Sequence, residues 1–162
     1  MASMINVCIC DDQDFYRSIL RQMLENAEDM RVVHEAPHGA ALIEYLKSAD
    51  CRADVVVLDI DMPGKRGTVV LEEIRGFMPD LRVVMHSTWM PFEMVEECMD
   101  LGADGCVEKS AEDHEIIAEI RKVFNSEIKP RKIPIKKAHG SSTVLSDFLN
   151  RARRFIGGLF EH

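Results

Sequence analysis

Val55-Val56-Val57-Leu58-Asp59-Ile60-Asp61-Met62-Pro63-Gly64-Lys65-Arg66-Gly67 is the stretch that decides how this chain folds. Its first four residues are all apolar and do not alternate with polar ones. A short run of this kind is buried on both faces, as in the middle of a parallel sheet covered by helices. Asp59 follows Leu58 directly, so a carboxylate stands at the carboxyl end of that strand.

Similar apolar runs lie on either side. Ile5 to Cys10, Arg31 to Ala36, Arg82 to His86 and Gly105 to Glu108 read as four more strands. Between them, Phe15, Ile19, Leu20, Met23 and Leu24 recur at helical spacing, as do Ala41, Leu42, Tyr45 and Leu46, and then Val69, Val70, Ile74 and Phe77. A fourth helix is predicted from about Pro91 to Leu101-Gly102, where glycine supplies the left-handed cap. A fifth is predicted to start at Ser110, with the hydroxyl as cap and Ile116, Ile117, Ile120, Val123 and Phe124 as the buried stripe. Five strand–helix pairs in alternation predict an α/β domain with a doubly wound parallel sheet.

The 162 residues, 46% hydrophobic and 30% charged, suit one globular core plus an appendage. No apolar run approaches the ~20 residues of a membrane span, and the N-terminus lacks a basic flank followed by an apolar stretch, so cytoplasmic residence is expected. The five cysteines, Cys8, Cys10, Cys51, Cys98 and Cys106, have no metal-site spacing and read as reduced, mostly buried thiols. Residues 1–127 carry 26 Asp and Glu against 12 Lys and Arg, a net −14; residues 128–162 carry 2 against 8, a net +6. The predicted organisation is a domain over 1–126, a basic linker over 127–142 and an amphipathic helix over 143–162.

Ligands of open parallel sheets gather at the carboxyl ends of the strands. Asp11 and Asp12 follow the first strand and Asp59 ends the third, so the three carboxylates converge. Such a cluster repels itself unless a hard cation holds it, and magnesium, with its oxygen preference, fits best. The plainer reading has Asp11-Asp12 only capping the first helix. It leaves Asp59 and Lys109 unexplained.

Asp11-Asp12, Asp59 with Met62-Pro63-Gly64, Ser87 after the fourth strand, and Gly102-Ala103-Asp104-Gly105 leading to Lys109 stand in order at successive strand ends. With these motifs the sequence resembles the receiver domains of two-component response regulators over about residues 4–124. It is most similar to receivers of the nitrate-response type, which usually carry a helix-turn-helix output.

The resemblance implies a flavodoxin-like strand order 2-1-3-4-5. It also implies a magnesium-dependent switch that is not an enzyme in the turnover sense, phosphorylated on Asp59 by a histidine kinase or phosphotransfer protein. Asp12, Asp59 and the backbone carbonyl of Asp61 would hold the metal, with Asp11 acting through water. Lys109 and Ser87 would bind the phosphoryl group, and Ser87, Thr88, Trp89 and Cys106 would form the switch.

Departures from the family pattern are Cys106 in place of an aromatic residue, Thr88 in place of alanine, and Ser110 in place of the proline that often follows the lysine. Asp61 and Trp89, two residues beyond Asp59 and Ser87, predict slow hydrolysis of the phosphoryl group. Asp59-Ile60-Asp61 also looks like the Asp-x-Asp opening of haloacid-dehalogenase-type phosphatases, although Met62-Pro63-Gly64 is foreign to that motif.

The 38 residues that follow Phe124 in this sequence are expected to be too few for a four-helix DNA-binding module of ~60. Phe148, Leu149, Phe155 and Ile156 are expected to dock on a protein: a partner, a second subunit in a homodimer, or the receiver itself. A permanently packed structural helix, a membrane surface, and DNA contacted by the basic tail are the weaker readings.

Overall fold

A computed structural model describes residues 3–128. Five strands and five helices alternate: β1 (Ile5–Cys10), α1 (Asp14–Glu25), β2 (Met30–Ala36), α2 (Gly39–Lys47), β3 (Val55–Asp59), α3 (Gly67–Phe77), β4 (Arg82–Ser87), α4 (Phe92–Asp100), β5 (Gly105–Glu108) and α5 (Asp113–Asn125). All pairings are parallel, in the order β2-β1-β3-β4-β5. This is the doubly wound flavodoxin-like sheet.

The central strand explains its own composition. Val56 and Leu58 pack into one apolar cluster with Leu42, Val70, Leu71 and Ile74 from α2 and α3, while Val55 and Val57 pack into a second with Leu20 and Leu24 of α1 and Ile116 and Ile120 of α5. With helices on both faces, neither side of β3 meets water. Strand order changes direction between β1 and β3, and the carboxyl ends of those two strands lie side by side, with Cys10 paired to Leu58. That crevice is where the acidic residues come together.

Two glycines are needed at this end. Gly67 starts α3 so close to β3 that a Cβ would lie 2.1 Å from the Asp59 carbonyl oxygen; its N–H donates to the Ile60 carbonyl at 2.8 Å. Gly64 sits at φ +82°, in the left-handed region.

The fifth helix corrects the sequence expectation. It starts at Asp113 with Glu112 as N-cap, and the Glu115 carboxylate accepts from the Glu112 N–H at 2.9 Å. Ser110 is not the cap, because its hydroxyl donates to Glu108 Oε2 at 3.2 Å. Among the described residues no peptide bond is cis, in keeping with serine rather than proline after Lys109. The tail residues Phe148, Leu149, Phe155 and Ile156, with nearly all of the basic linker, lie outside the described residues.

Candidate functional site

Asp11 and Asp12 leave the end of β1 and Asp59 closes β3. One carboxylate oxygen from each lies within 4.8 Å of the others. Asp11 and Asp59 are buried, at 2% and 1% exposure, while Asp12 is half-buried. Lys109 reaches in from the loop after β5. Its Nζ lies 2.5 Å from Asp11 Oδ2, 3.4 Å from Asp59 Oδ2 and 4.3 Å from the centre of the Tyr16 ring.

Local contacts fix the first loop. Asp11 Oδ1 accepts from the Gln13 N–H at 2.9 Å, and Arg17 Nη1 donates to the Asp11 carbonyl at 2.7 Å. Asp11 is therefore tied to the lysine and the loop backbone, whereas Asp59 has only the ion pair and a 3.3 Å hydrogen bond from the Asp61 N–H.

The electrostatics are those of a site short of positive charge. Three carboxylates face one ammonium. Burial, with the Asp11 charge adding to it, pushes the Asp59 carboxyl up to about 6, and Lys109 only partly offsets this. Burial works against the Lys109 charge, but the hydrogen bond to Asp11 and the Asp59 carboxylate outweigh it and hold the ammonium above the ordinary lysine value. Beneath the cluster His86, paired with Asp59 across the sheet, is pushed down to about 4 by burial and by Lys109.

Two buried carboxylate oxygens, Asp12 Oδ1 and Asp59 Oδ2, accept no hydrogen bond among the described residues. A buried acceptor left so is costly. A hard divalent cation ligated by oxygen would satisfy both atoms and balance the charge, so the donor set fits such an ion.

The fourth strand carries the second half of the site. Ser87 ends β4 fully buried, and its hydroxyl donates to Asp61 Oδ2 at 3.0 Å. Its Oγ accepts from the Trp89 N–H at 3.4 Å. Thr88 and Trp89 face outward, the indole 68% exposed. Cys106 lies half-buried on β5, its thiol pushed up by a hydrogen bond shared with Cys98 of α4 and by burial.

Two contacts here were missed from sequence: the Asp61–Ser87 hydrogen bond, and Glu108, whose Oε1 accepts from the Met90 N–H at 2.9 Å. An acidic residue just before Lys109 was the only available signal for the second. Asp11, Asp12, Asp59, Lys109, Ser87 and Asp61 are thus brought together, with Cys106 set back under α4.

A family model, the response regulator receiver domain, matches residues 7–121. The chain belongs to the response-regulator receiver family. Among relatives of this receiver, response regulator UvrY of Escherichia coli O6:H1 is 31% identical over 127 residues, covering 76% of this chain and 56% of UvrY. Response regulator GacA of Pseudomonas aeruginosa is 31% identical over 121 residues, covering 75% and 56%. The chain therefore spans little more than half the length of these relatives. Among solved structures, the signal receiver domain of NarL from Mycobacterium tuberculosis superposes with a TM-score of 0.69 at 28% identity, covering 77% of this chain and 99% of that one. The response regulator domain of Thermotoga maritima CheB gives 0.69 at 27% identity, covering 76% and 98%. Receiver domains are phosphoacceptor switches of two-component systems. Among the described residues no helix is long and apolar enough to cross a membrane.

Proposed function

We propose that this receiver is switched by phosphorylation of Asp59 by a histidine kinase or phosphotransfer protein, and that the phosphoryl group changes a protein-interaction surface. The observation that carries the reading is the Asp59 carboxylate: buried, with one oxygen accepting no hydrogen bond, 3.4 Å from an ammonium and inside a three-aspartate cluster. One Asp59 carboxylate oxygen attacks phosphorus while the other stays with the metal, the P–N bond to the donor imidazole breaks as the P–O bond forms, and the imidazole leaves as a neutral base after taking up a proton. Lys109 is placed to meet the charge on the transferred phosphoryl oxygens.

Magnesium is the divalent ion proposed for the cluster. Asp12, Asp59 and the Asp61 carbonyl would hold it, with Asp11 acting through water, and it would neutralise charge on the phosphoryl group. Acetyl phosphate with magnesium tests the reading: intact mass should rise by one phosphoryl group in the wild type and not in Asp59→Asn, as an acid-stable, base-labile adduct. Steady turnover of a phosphomonoester would instead favour the Asp-x-Asp phosphatase reading. The Asp61 carboxylate and the bulky Trp89 indole, two residues beyond Asp59 and Ser87, are expected to disfavour an attacking water and make hydrolysis slow; a lifetime as short as that of a fast-decaying chemotaxis receiver contradicts this.

For output, the exposed Trp89 just before α4 and Phe92 at its start offer an apolar surface near the switch. Phe148, Leu149, Phe155 and Ile156 are proposed to bind a protein partner or a second copy. Deleting residues 127–162 tests this proposal. An intact, soluble monomer supports recruitment, and loss of stability supports a helix packed permanently on the domain. Binding of the intact tail to duplex DNA would favour a transcriptional regulator, and binding to anionic vesicles a membrane contact.

A further inference from the structure

Residue 61 touches both ends of the switch. Its backbone N–H donates to Asp59 Oδ1 at 3.3 Å, and its carboxylate accepts the Ser87 hydroxyl at 3.0 Å. Ser87 Oγ in turn accepts from the Trp89 N–H at 3.4 Å, and the next residue, Met90, donates to Glu108 at 2.9 Å. A continuous chain of hydrogen bonds therefore runs from the loop after β3, through one hydroxyl, to the loop before α4.

A serine hydroxyl has a single proton to donate. Here it goes to Asp61. While that bond stands, Ser87 cannot donate to a phosphoryl oxygen on Asp59. Ser87 is fully buried and Asp61 is exposed, so the aspartate is the partner free to leave. A phosphoryl group on Asp59 would act on the pair twice, by accepting the Ser87 proton and by repelling the Asp61 carboxylate through like charge.

We propose that the Asp61 carboxylate is a latch that holds Ser87 in the unphosphorylated arrangement, so that activation requires the hydroxyl to change acceptor. Asp61 is then a positioning residue acting through Ser87, and the latch rests on the reading of Asp59 as phosphoacceptor. Because Ser87 Oγ also receives the Trp89 N–H, the exchange pulls on the backbone that carries the indole. The relay does not need the aromatic ring that Cys106 replaces.

The full chain reports on itself, since Trp89 is the only tryptophan in 162 residues. Beryllofluoride, a phosphoryl mimic, is titrated with magnesium while Trp89 emission is followed in wild type, Asp61→Ala, Asp61→Asn, Ser87→Ala and the Asp61→Ala/Ser87→Ala double variant. Loss of a charge-assisted hydrogen bond at a half-exposed site predicts half-saturation at about five- to tenfold lower beryllofluoride in Asp61→Ala. Asp61→Asn keeps an acceptor without the charge and should fall between. In the Ser87→Ala background the gain should shrink to about twofold or less, because no latch remains to release. Before any beryllofluoride is added, Asp61→Ala should already move Trp89 emission toward its bound-state value.

An equal gain with and without Ser87 would make Asp61 a simple repelling charge and overturn the latch, as would unchanged or weaker binding in Asp61→Ala. Wild-type protein that binds no beryllofluoride would overturn the Asp59 reading and the latch together. Binding to wild type and Asp61→Ala with the same affinity overturns the latch alone.

Discussion

Replacing Asp59 by asparagine should stabilise the metal-free protein. In the folded chain the carboxyl titrates near 6 rather than at the ordinary 3.8, chiefly because it is buried and then because of Asp11. Every tenfold change in an acid constant is worth ~1.4 kcal/mol, so ionising Asp59 costs the fold up to about 3 kcal/mol. Asp12 is only half-buried and Asp61 is exposed, so solvent screening from that side brings the working figure to about 1–2 kcal/mol.

An acid whose pKa is raised by folding binds its proton more tightly in the native state. The Asp59 contribution to wild-type stability is therefore fully present below about pH 4 and is lost as pH rises through about 6. The asparagine side chain of the variant carries no charge, folded or unfolded, and its amide can donate to the neighbouring carboxylates. Thermal melts of both proteins in chelator should coincide near pH 4. At pH 7.5 they should separate by about 3–8 °C in favour of the variant. Millimolar magnesium should raise the wild type more than the variant. An Asp59→Asn protein no more stable than wild type at pH 7.5, or a gap that does not change between pH 4 and 7.5, would show that burial does not strain this carboxylate.

Lys109→Met keeps the buried stem and removes the charge, leaving three carboxylates without their ammonium. Urea unfolding in chelator should show a loss of about 3 kcal/mol, part of which magnesium restores. Arg75, 3% exposed, donates to the Gly102 carbonyl at 2.9 Å and the Leu81 carbonyl at 2.6 Å and pairs with Asp104 at 3.1 Å. Arg75→Met should cost about 3 kcal/mol by the same assay without changing which residue is phosphorylated. Gly67→Ala, whose Cβ would lie 2.1 Å from the Asp59 carbonyl oxygen, should cost at least about 2 kcal/mol and lower the phosphorylation yield. Gly64→Ala meets open space and should cost only about 1 kcal/mol, from its positive φ.

The parts legible in the sequence were those set by the backbone. The unbroken Val55–Leu58 run required helices on both faces, and this placed Asp11, Asp12, Asp59 and Lys109 at neighbouring strand ends without knowledge of any side-chain conformer. The Asp61–Ser87 bond was illegible because it depends on which of two acceptors one hydroxyl chooses across two loops 26 residues apart. The α5 cap was misassigned for a related reason. Ser110 is a good cap by type, but the Glu108 carboxylate takes its hydroxyl, and Glu112 with Glu115 closes the helix two residues later. Cys106 was recognised as a departure, whereas its thiol pairing with Cys98 under α4 required the packed structure.

Whether one particular carboxylate takes up the phosphoryl group is decided by chemical mapping. Acetyl phosphate-treated protein is reduced with borohydride, which converts an acyl phosphate to an alcohol, and the peptides are sequenced by mass spectrometry. Homoserine is expected at position 59 alone, dependent on magnesium. Homoserine at 11, 12 or 61, or reduction at 59 that is unaffected by removing the metal, would contradict the assignment of Asp59 as the magnesium-dependent phosphoacceptor.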